Sequence, residues 1–364
     1  MIFRRVFIKS NGQPRAWLKR LLFTRNFEVK PTWRWAACLP GGQVRPLFAP
    51  WYAQAQANPS PELDPGWAEI RSNLIAQKSL SACRSVHIIA PPATGYVARM
   101  LAHWLTGWGM SCHVGQDMPE AFEEALYIVV CPQVYRRLPP RHLRIVYQME
   151  QSVSPRWFTD EYFNVLYNAL AVFDYSQRNL SFLNQQMAGA TPLVHVPVEP
   201  LPAGALLPIA HDHPPAEPGD CEVVFYGDEK SPRRQKFLAD LKQHFRMKLI
   251  NGLYGPALWA ELQKAKVVVN IHYYEQALLE TTRISECLSL GLQVVSEAGS
   301  DQAMHGQWSK AVTFTPIDDV AAMRAAVAAA LAQPQRRICE GADLGLPSGE
   351  ALRAALVTLG LPLG

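Results

Sequence analysis

Apolar and polar positions alternate along two stretches of the chain as short buried strands and amphipathic helices. From Ser85 onward the strand patterns are SVHIIAP, SCHVG, ALYIVVCP, LRIVYQM, AVFDYS and PLVHVPV, with helical patterns between them. After residue 220 the alternation resumes with CEVVFYG, MKLING, KVVVNIH, LQVVSE and AVTFTP. Short apolar strands interleaved with amphipathic helices are typical of a parallel, doubly wound sheet. The pattern therefore predicts an α/β protein with two Rossmann-like domains.

A proline-rich stretch separates the two halves. Residues 197–220 contain seven prolines, which neither a continuous helix nor a central strand accommodates. We predict five segments: a basic N-terminal extension at 1–80, a first Rossmann-like domain at 81–200, a linker at 201–220, a second Rossmann-like domain at 221–335 and a C-terminal tail helix at 336–364. Ligands of such folds lie at the carboxyl ends of the strands and in the cleft between the halves.

Composition fits this organisation. The 364 residues are 49% hydrophobic and 18% charged, as in an ordinary globular protein of more than one domain. The seven cysteines are scattered without a Cys-x-x-Cys pair, which disfavours a zinc ribbon or a disulfide framework and favours a reducing compartment. The first residues lack the apolar core of a signal peptide, and no run of about 18 apolar residues predicts a membrane span. We expect a cytoplasmic protein.

Charge is distributed unevenly. Residues 1–50 contain ten Lys or Arg and one acid, Glu28, whereas the net charge of the whole chain is +4. The segments RAWL (15–18), KPTW (30–33) and RPLF (45–48) recur there as a degenerate repeat with a spacing of fifteen residues. Basic residues beside Trp and Phe suit an anionic membrane at the inner face of the cell. The alternative is a solvated arm that packs on the main body. Nucleic acid is not expected, because no other segment resembles a nucleic-acid-binding module.

Polar side chains follow the apolar strand that ends at Ile271. His272 comes directly after it, and the loop HYYEQAL leads into a helix that carries Thr281, Thr282 and Arg283 in its first turns. A helix N-terminus offers free backbone N–H groups and a partial positive charge, and Arg grips phosphate in a bidentate manner. The sequence therefore predicts an anion site at this strand end.

The segment RISECLSLGLQVVS (283–296) resembles the C-terminal domain of GT-B glycosyltransferases, especially the large family-4 group. Glu286 and Gly291 keep the spacing of that family's Glu and Gly, and YGDEKSPRRQKF supplies cations near the first strand of this domain. The resemblance implies a nucleotide-sugar substrate, no metal and no further cofactor. The donor-binding residues that it implies are Gly227, Lys230, Arg233, Glu280, Thr282, Arg283 and Glu286.

One position departs from the family. Its retaining members carry a second Glu eight residues before the position of Glu286, where this chain has Leu278. The resemblance therefore leaves both stereochemical outcomes open. No Asp-x-Asp motif is present in the chain, which fits a leaving diphosphate that is stabilised by cationic side chains and helix dipoles.

Each candidate has a structural alternative. Arg283 and Glu286 fit a surface ion pair, His272 fits a core histidine, and the cations at 230, 233 and 234 fit a solvated helix start. His211 and His213 have a ligand-like spacing but lie in the proline-rich linker without an acid or Cys cluster, so no metal site is predicted.

The first domain is expected to supply the acceptor pocket and the catalytic base. Glu150 follows the strand LRIVYQM, and Asp174 and Tyr175 follow AVF. A carboxylate within hydrogen-bond reach of an acceptor hydroxyl can act as general base, although Glu150 equally fits an ordinary capping acid. Thr94 and Gly95 in the turn after the first strand are weaker candidates. We take Glu150 and His272 as the candidate catalytic residues.

Together these features predict a glycosyltransferase that moves a sugar from a nucleotide donor to a glycan or lipid-linked saccharide, in cell-surface polysaccharide biosynthesis. Two alternatives stay open: a non-catalytic binding protein on a degenerate GT-B scaffold, and a nucleotide-sugar epimerase on the same scaffold.

Overall fold

The computed structural model divides the chain into two compact units, an N-terminal unit from Met1 to Asp64 and a main unit from Pro65 to Gly364. This boundary precedes the predicted end of the basic extension at residue 80. The structure describes residues 16–22, 31–39, 45–48, 66–154, 157–206, 221–333, 341–346 and 349–364.

Short helical turns make up the described part of the N-terminal unit. They are α1 (Ala16–Leu22), a 3-10 turn at Pro31–Trp33 that continues into α2 (Arg34–Ala37), and a 3-10 turn at Pro46–Phe48. Each of the three copies of the degenerate repeat thus begins a helical turn at its second residue. One small apolar cluster is formed by Leu18, Leu22, Ala37, Cys38 and Phe48.

The main unit contains two parallel sheets, each with its own helices, which we call the first and second lobes. The first sheet has the order β2-β1-β3-β4-β5-β6 and the second the order β11-β10-β9-β7-β8, and every strand pair is parallel. The strands are β1 (Ser85–Ile89), β2 (Ser111–Gly115), β3 (Leu126–Val130), β4 (Arg144–Gln148), β5 (Ala171–Asp174), β6 (Leu193–His195), β7 (Val223–Tyr226), β8 (Met247–Ile250), β9 (Val267–Asn270), β10 (Gln293–Glu297) and β11 (Val312–Thr315).

All eleven strand patterns predicted from the sequence are strands in the structure. Central strands such as β3, β4 and β7 are buried at every position, as expected where helices cover both faces of a parallel sheet. The helices of the main unit are α3 (Trp67–Ala76), α4 (Gly95–Gly107), α5 (Asp160–Tyr167), α6 (Gln177–Met187), α7 (Ala203–Leu206), α8 (Pro232–His244), α9 (Gly255–Leu262), α10 (Thr281–Ser289), α11 (Val320–Leu331) and α12 (Glu350–Thr358). The predicted fold class, α/β with two Rossmann-like parallel sheets, is confirmed.

Helix α3 lies within the segment predicted as extension, yet it is part of the main unit. The buried Arg71 donates hydrogen bonds to the carbonyls of Tyr167 at 2.7 Å and Ala169 at 3.1 Å, at the end of α5. The linker prediction falls on residues 201–220, of which 207–220, including His211 and His213, lie outside the described residues. Within the described chain, no helix is long and apolar enough to cross a bilayer.

The strand order places a topological switch point in each sheet. In the second sheet β8 lies on one side of β7 and β9 on the other, so the loops that follow β7 and β9 diverge and open a crevice between them. Ligands of doubly wound sheets occupy such crevices outside the carboxyl ends of the strands. The fold thus places residues 226–234 and 270–283 at this crevice.

Candidate active site

Arg283, in the first turns of α10, reaches across the switch point of the second sheet. Its guanidinium donates to the Asn270 side chain at 3.1 Å, lies 3.2 Å from a carboxylate oxygen of Glu280, and stacks 4.9 Å from the Tyr226 ring centre. A Cβ at Gly227, where φ is +118°, would lie 3.0 Å from this guanidinium. Glycine at 227 therefore allows Arg283 to lie against the backbone at the end of β7.

Glu280 lies at the centre of a charged cluster at this crevice. Its carboxylate is 3.2 Å from Arg283, 3.3 Å from Arg234 of α8 and 3.8 Å from Nδ1 of His272. Burial opposes ionisation, but Arg283, His272 and Arg234 outweigh it and hold the pKa of Glu280 well below its usual range. The carboxylate is therefore ionised at neutral pH, and the two arginines and Glu280 together carry a net positive charge.

Two atoms of this cluster lack hydrogen-bond partners among the described residues. They are Nδ1 of His272 and Oγ1 of Thr281, and both side chains are buried. The Nε2 of His272 lies 3.2 Å from the Glu297 carbonyl, which can only accept a hydrogen bond. Nε2 therefore donates to this carbonyl, and Nδ1 faces the Glu280 carboxylate at 3.8 Å. Thr282 lies beside Thr281 in the same turn and is partly buried.

Glu286 lies one turn further along α10. The indole of Trp259 donates to one carboxylate oxygen at 2.8 Å and the hydroxyl of Tyr226 donates to the other at 2.9 Å. Burial raises the pKa of Glu286, although these two hydrogen bonds and Arg283 oppose the shift. This geometry excludes the surface ion pair that α-helical spacing alone would allow for Arg283 and Glu286.

Arg233 and Lys230 are placed differently from the central cluster. Arg233 forms a bidentate ion pair with the buried Glu297 at the end of β10 and also donates to the His272 carbonyl at 3.0 Å. Lys230 is exposed in the loop before α8. Of the predicted donor-binding residues, the structure thus brings Gly227, Glu280, Thr282, Arg283 and Glu286 together, while Arg233 is engaged with Glu297.

A second polar cluster lies at the carboxyl edge of the first sheet. Glu150 is partly buried and accepts a hydrogen bond from the side-chain amide of Gln133 at 2.6 Å, and its carbonyl accepts from Asn179 at 2.9 Å. The oxygen of the Gln133 side-chain amide is buried without a partner among the described residues. Thr94 donates from its hydroxyl to the Pro91 carbonyl at 3.2 Å.

Asp174 and Tyr175 are both buried. Gln148, Asn179 and the Ser176 amide donate to the Asp174 carboxylate at 2.5, 3.1 and 2.8 Å. Burial nonetheless raises the pKa of Asp174 well above its usual range. With its oxygens occupied in this way, Asp174 supports the end of β5, and Glu150 is the more accessible of these two carboxylates.

Hydrogen bonds between loops bring the two clusters face to face. The side chain of Gln151 accepts from the Leu278 amide at 2.9 Å, so the residue after Glu150 contacts the loop that leads to Glu280. Arg178 of α6 donates to the Ser300 hydroxyl at 2.9 Å, beyond β10. The loops that carry Glu150 and Glu280 are therefore in contact, and the predicted catalytic residues Glu150 and His272 follow the carboxyl ends of strands in the two sheets.

Several residues that complete the site have a weak signal in the sequence or none. Asn270 stands out in the sequence as the polar residue that ends the apolar run VVVN, and Arg234 stands out only as part of a cationic cluster. Nothing in the sequence singles out Tyr226 or Trp259, whose spacing from Glu286 becomes short only in the folded chain. No group of three His, Cys, Asp or Glu side chains within the described ranges is arranged to hold a metal ion.

Comparisons with known proteins find only partial or weak similarities. No family model matches it. One curated relative, the uncharacterised protein L138 of Acanthamoeba polyphaga mimivirus, is 30% identical over 107 residues, and the match spans 28% of this chain but only 12% of that protein.

Similar solved structures cover most of this chain. A sucrose-phosphate synthase from Thermosynechococcus elongatus is 13% identical with a TM-score of 0.42, over 76% of this chain and 96% of its own. An α-glucosyltransferase in complex with UDP and DNA is 9% identical with a TM-score of 0.48, over 76% and 100%. A UDP-GlcNAc 2-epimerase from Methanocaldococcus jannaschii is 9% identical with a TM-score of 0.40, over 75% and 98%.

The architecture itself identifies the fold. Two parallel sheets of six and five strands form one unit, and the polar clusters at their carboxyl edges lie on facing loops. The chain therefore has the architecture of two Rossmann-like parallel sheets, which is also the architecture of the GT-B fold.

Proposed function

We propose that this protein is a glycosyltransferase that moves a sugar from a nucleotide-sugar donor to a glycan or lipid-linked saccharide. The observation that carries the proposal is the cationic cluster at the N-terminus of α10. There Arg283 and Arg234 flank Glu280, and the buried Thr281 hydroxyl has no hydrogen-bond partner among the described residues. A helix N-terminus combined with two arginines and a free hydroxyl fits the diphosphate of a nucleotide-sugar.

The cluster has the charge that a diphosphate requires. Two guanidinium groups and one carboxylate leave one positive charge in a buried crevice, where electrostatic interactions are stronger than in water. The Arg283 guanidinium contacts the Glu280 carboxylate. A diphosphate bound at the helix N-terminus places its own oxygens against the same guanidinium, so that Arg283 can exchange one anionic partner for another. As the donor bond breaks, the arginines and the helix N-terminus stabilise the leaving diphosphate without a metal.

Glu286 and His272 suit the sugar moieties of the donor. The hydrogen bonds from Trp259 and Tyr226 fix the Glu286 carboxyl in one orientation, and each oxygen retains a lone pair for a ribose or sugar hydroxyl. Nδ1 of His272, which is buried without a hydrogen-bond partner among the described residues, can form a hydrogen bond with a hydroxyl in the same crevice. We therefore assign donor contacts to both side chains.

Glu150 is the proposed general base of the acceptor side. It is partly buried, oriented by Gln133, and placed on the loop next to the Gln151–Leu278 hydrogen bond. A carboxylate in that place can take the proton of an acceptor hydroxyl that attacks the donor sugar across the cleft. The acceptor class that we propose, a saccharide of cell-surface polysaccharide biosynthesis in the cytoplasm, follows from the family resemblance.

Calorimetric titration tests the donor site. UDP, GDP, CMP and their sugar conjugates are titrated into the wild type, Arg283→Ala and the control Arg246→Ala. Arg246 is exposed beside Glu222 at the amino end of β8, opposite the crevice. We expect one nucleotide to bind the wild type and Arg246→Ala equally, and to bind Arg283→Ala roughly 10–100-fold more weakly, because a charge-assisted hydrogen bond contributes about 1.5–3 kcal/mol. If no nucleotide binds the wild type, the donor site is refuted.

Product analysis separates a transferase from an epimerase on the same scaffold. The nucleotide-sugar that binds is incubated alone and with a saccharide acceptor, and the products are separated by chromatography. A transferase forms free nucleoside diphosphate and a longer saccharide only when the acceptor is present. A new nucleotide-sugar, or its elimination products, formed from the donor alone would instead establish the epimerase.

A further inference from the structure

Each of the three copies of the N-terminal repeat begins a helical element, an α-helix in the first copy and a 3-10 turn in the other two. RAWL, KPTW and RPLF each enter a helical turn at their second residue, at Ala16, Pro31 and Pro46. Proline is favoured at the first position of such a turn, because its fixed φ fits and its missing N–H is not needed. The fifteen-residue spacing therefore marks a structural repeat and not only a pattern of letters.

Within each copy the fourth residue faces the interior of the unit. Leu18 and Phe48 are buried in the small apolar cluster, and Trp33 packs against it. This contact explains why the fourth position is always large and apolar. The cluster is small, so it leaves little room for further apolar side chains.

The third residue of each copy is exposed instead. Trp17 is 45% exposed, Leu47 is 37% exposed, and Thr32 is also exposed. Leu39, which follows α2, is 39% exposed. We take these exposed side chains as the apolar part of an interaction surface.

Positive charge surrounds these side chains in the sequence. Residues 1–50 carry ten cations against one acid, and each copy of the repeat opens with a cation, Arg15, Lys30 or Arg45. Trp prefers the boundary between headgroups and acyl chains, and Lys and Arg are attracted to anionic headgroups. The same segment thus supplies both contributions that hold a peripheral protein on a charged bilayer.

We propose that the N-terminal unit binds the surface of an anionic phospholipid bilayer, with Trp17 and Leu47 entering the headgroup layer and the net positive charge of residues 1–50 attracting the lipid phosphates. The exposed leucines favour a bilayer over nucleic acid, since aliphatic side chains gain from acyl chains but do not stack on bases. The proposal does not depend on the reaction proposed for the main unit.

Vesicle sedimentation tests the proposal with the full chain. The wild type is mixed with vesicles of phosphatidylcholine alone or with about one third phosphatidylglycerol. We expect binding to the anionic vesicles that is at least tenfold tighter, because each Lys or Arg near the surface contributes roughly fivefold to partitioning, and we expect it to weaken as salt is added.

Two double variants test whether vesicle binding depends on the exposed apolar side chains of the N-terminal unit or on exposed apolar side chains anywhere in the chain. Trp17→Ser with Leu47→Ser should bind anionic vesicles about tenfold more weakly. The matched control, Ile70→Ser with Val357→Ser, changes two side chains of the main unit that are 44% and 47% exposed and should bind like the wild type. Circular dichroism and thermal unfolding verify that both variants are folded.

Three outcomes would overturn the proposal. They are equal binding to neutral and anionic vesicles, an equal loss in both double variants, and no vesicle binding at all. A short single-stranded RNA is titrated in parallel, and tight RNA binding without vesicle binding would assign the basic unit to nucleic acid instead.

Discussion

At the scale of single residues, the buried carboxyl of Glu286 combines a proposed role in binding with a cost in stability. Burial raises its pKa above the ordinary value of 4.5. A carboxyl whose pKa is higher in the folded than in the unfolded state stabilises the fold least at high pH: its contribution is fully present below about pH 4.5 and is lost as pH rises through the folded pKa. We therefore expect Glu286→Gln to raise the free energy of unfolding by about 1 kcal/mol near pH 8 and to leave it unchanged near pH 4.

Urea denaturation at the two pH values, followed by tryptophan fluorescence, measures this difference. Glutamine keeps an acceptor for Trp259 and offers its amide to the Tyr226 oxygen, so the hydrogen bonds survive. Glu261→Gln is the opposite control, because hydrogen bonds from Lys248 and Lys264 lower the pKa of Glu261, and its loss should cost a few tenths of a kcal/mol near pH 8. A Glu286→Gln variant that is less stable near pH 8 but unchanged near pH 4 would show that the ionised carboxylate stabilises the fold.

How far single residues could be predicted depended on where their partners lie in the chain. Arg283 was predictable because a strand, a loop and a helix start surround it in sequence. The engagement of Arg233 was not, since its partner Glu297 lies 64 residues away and is brought near only by the sheet. For the same reason the hydrogen bonds of Glu286 to Trp259 and Tyr226 left no pattern in the sequence.

At the scale of elements, one buried carboxylate joins several segments of the second lobe. Glu297, at the end of β10, is fully buried and accepts from Arg233 of α8, from the His272 amide at 3.0 Å and from the Asp318 amide at 2.9 Å. The ion pair therefore fixes the start of α8 against the ends of β9 and β10. This geometry assigns Arg233 to the support of the crevice, and Arg283 to its interior.

Paired substitutions separate these two roles. Arg233→Ala leaves a buried carboxylate without its cation and should lower the free energy of unfolding by about 3–5 kcal/mol. Arg233→Lys keeps the charge but loses the bidentate geometry, and we expect a smaller loss of stability with nucleotide affinity unchanged.

Arg283→Lys should have the opposite effect, with nucleotide affinity reduced about tenfold and stability nearly retained. Thermal unfolding and calorimetry report the two quantities. A loss of affinity in Arg233→Lys equal to that in Arg283→Lys would place Arg233 in the donor site.

The strands were predictable and the boundaries of the units less so, for a physical reason. A buried parallel strand needs apolar residues at every position, and β3, β7 and β9 show this directly in the sequence. Helix α3 carries no comparable signal. Its membership of the main unit rests on the burial of Trp67 in the main core and on the bonds of Arg71 to the backbone at the end of α5, which no local pattern reveals.

At the scale of the whole main unit, one apolar cluster continues through both lobes. It contains Val86 of β1, Val224 of β7 and Val268 of β9, together with Leu352 and Leu356 of α12. The C-terminal helix is thus packed into the same core as strands of both sheets. Elements that share one core unfold together when losing one part exposes the rest.

Leu356→Ala tests this continuity. The side chain is fully buried, so its truncation should lower the free energy of unfolding by about 2–5 kcal/mol. Val357→Ala, an exposed neighbour on the same helix, should change it by less than about 0.5 kcal/mol. Because the core is shared, we expect one calorimetric transition at a lower temperature, and faster amide hydrogen exchange in β3 and β9 alike. Two separate transitions, or faster exchange confined to the first sheet, would show that the lobes unfold independently and that α12 stabilises only one of them.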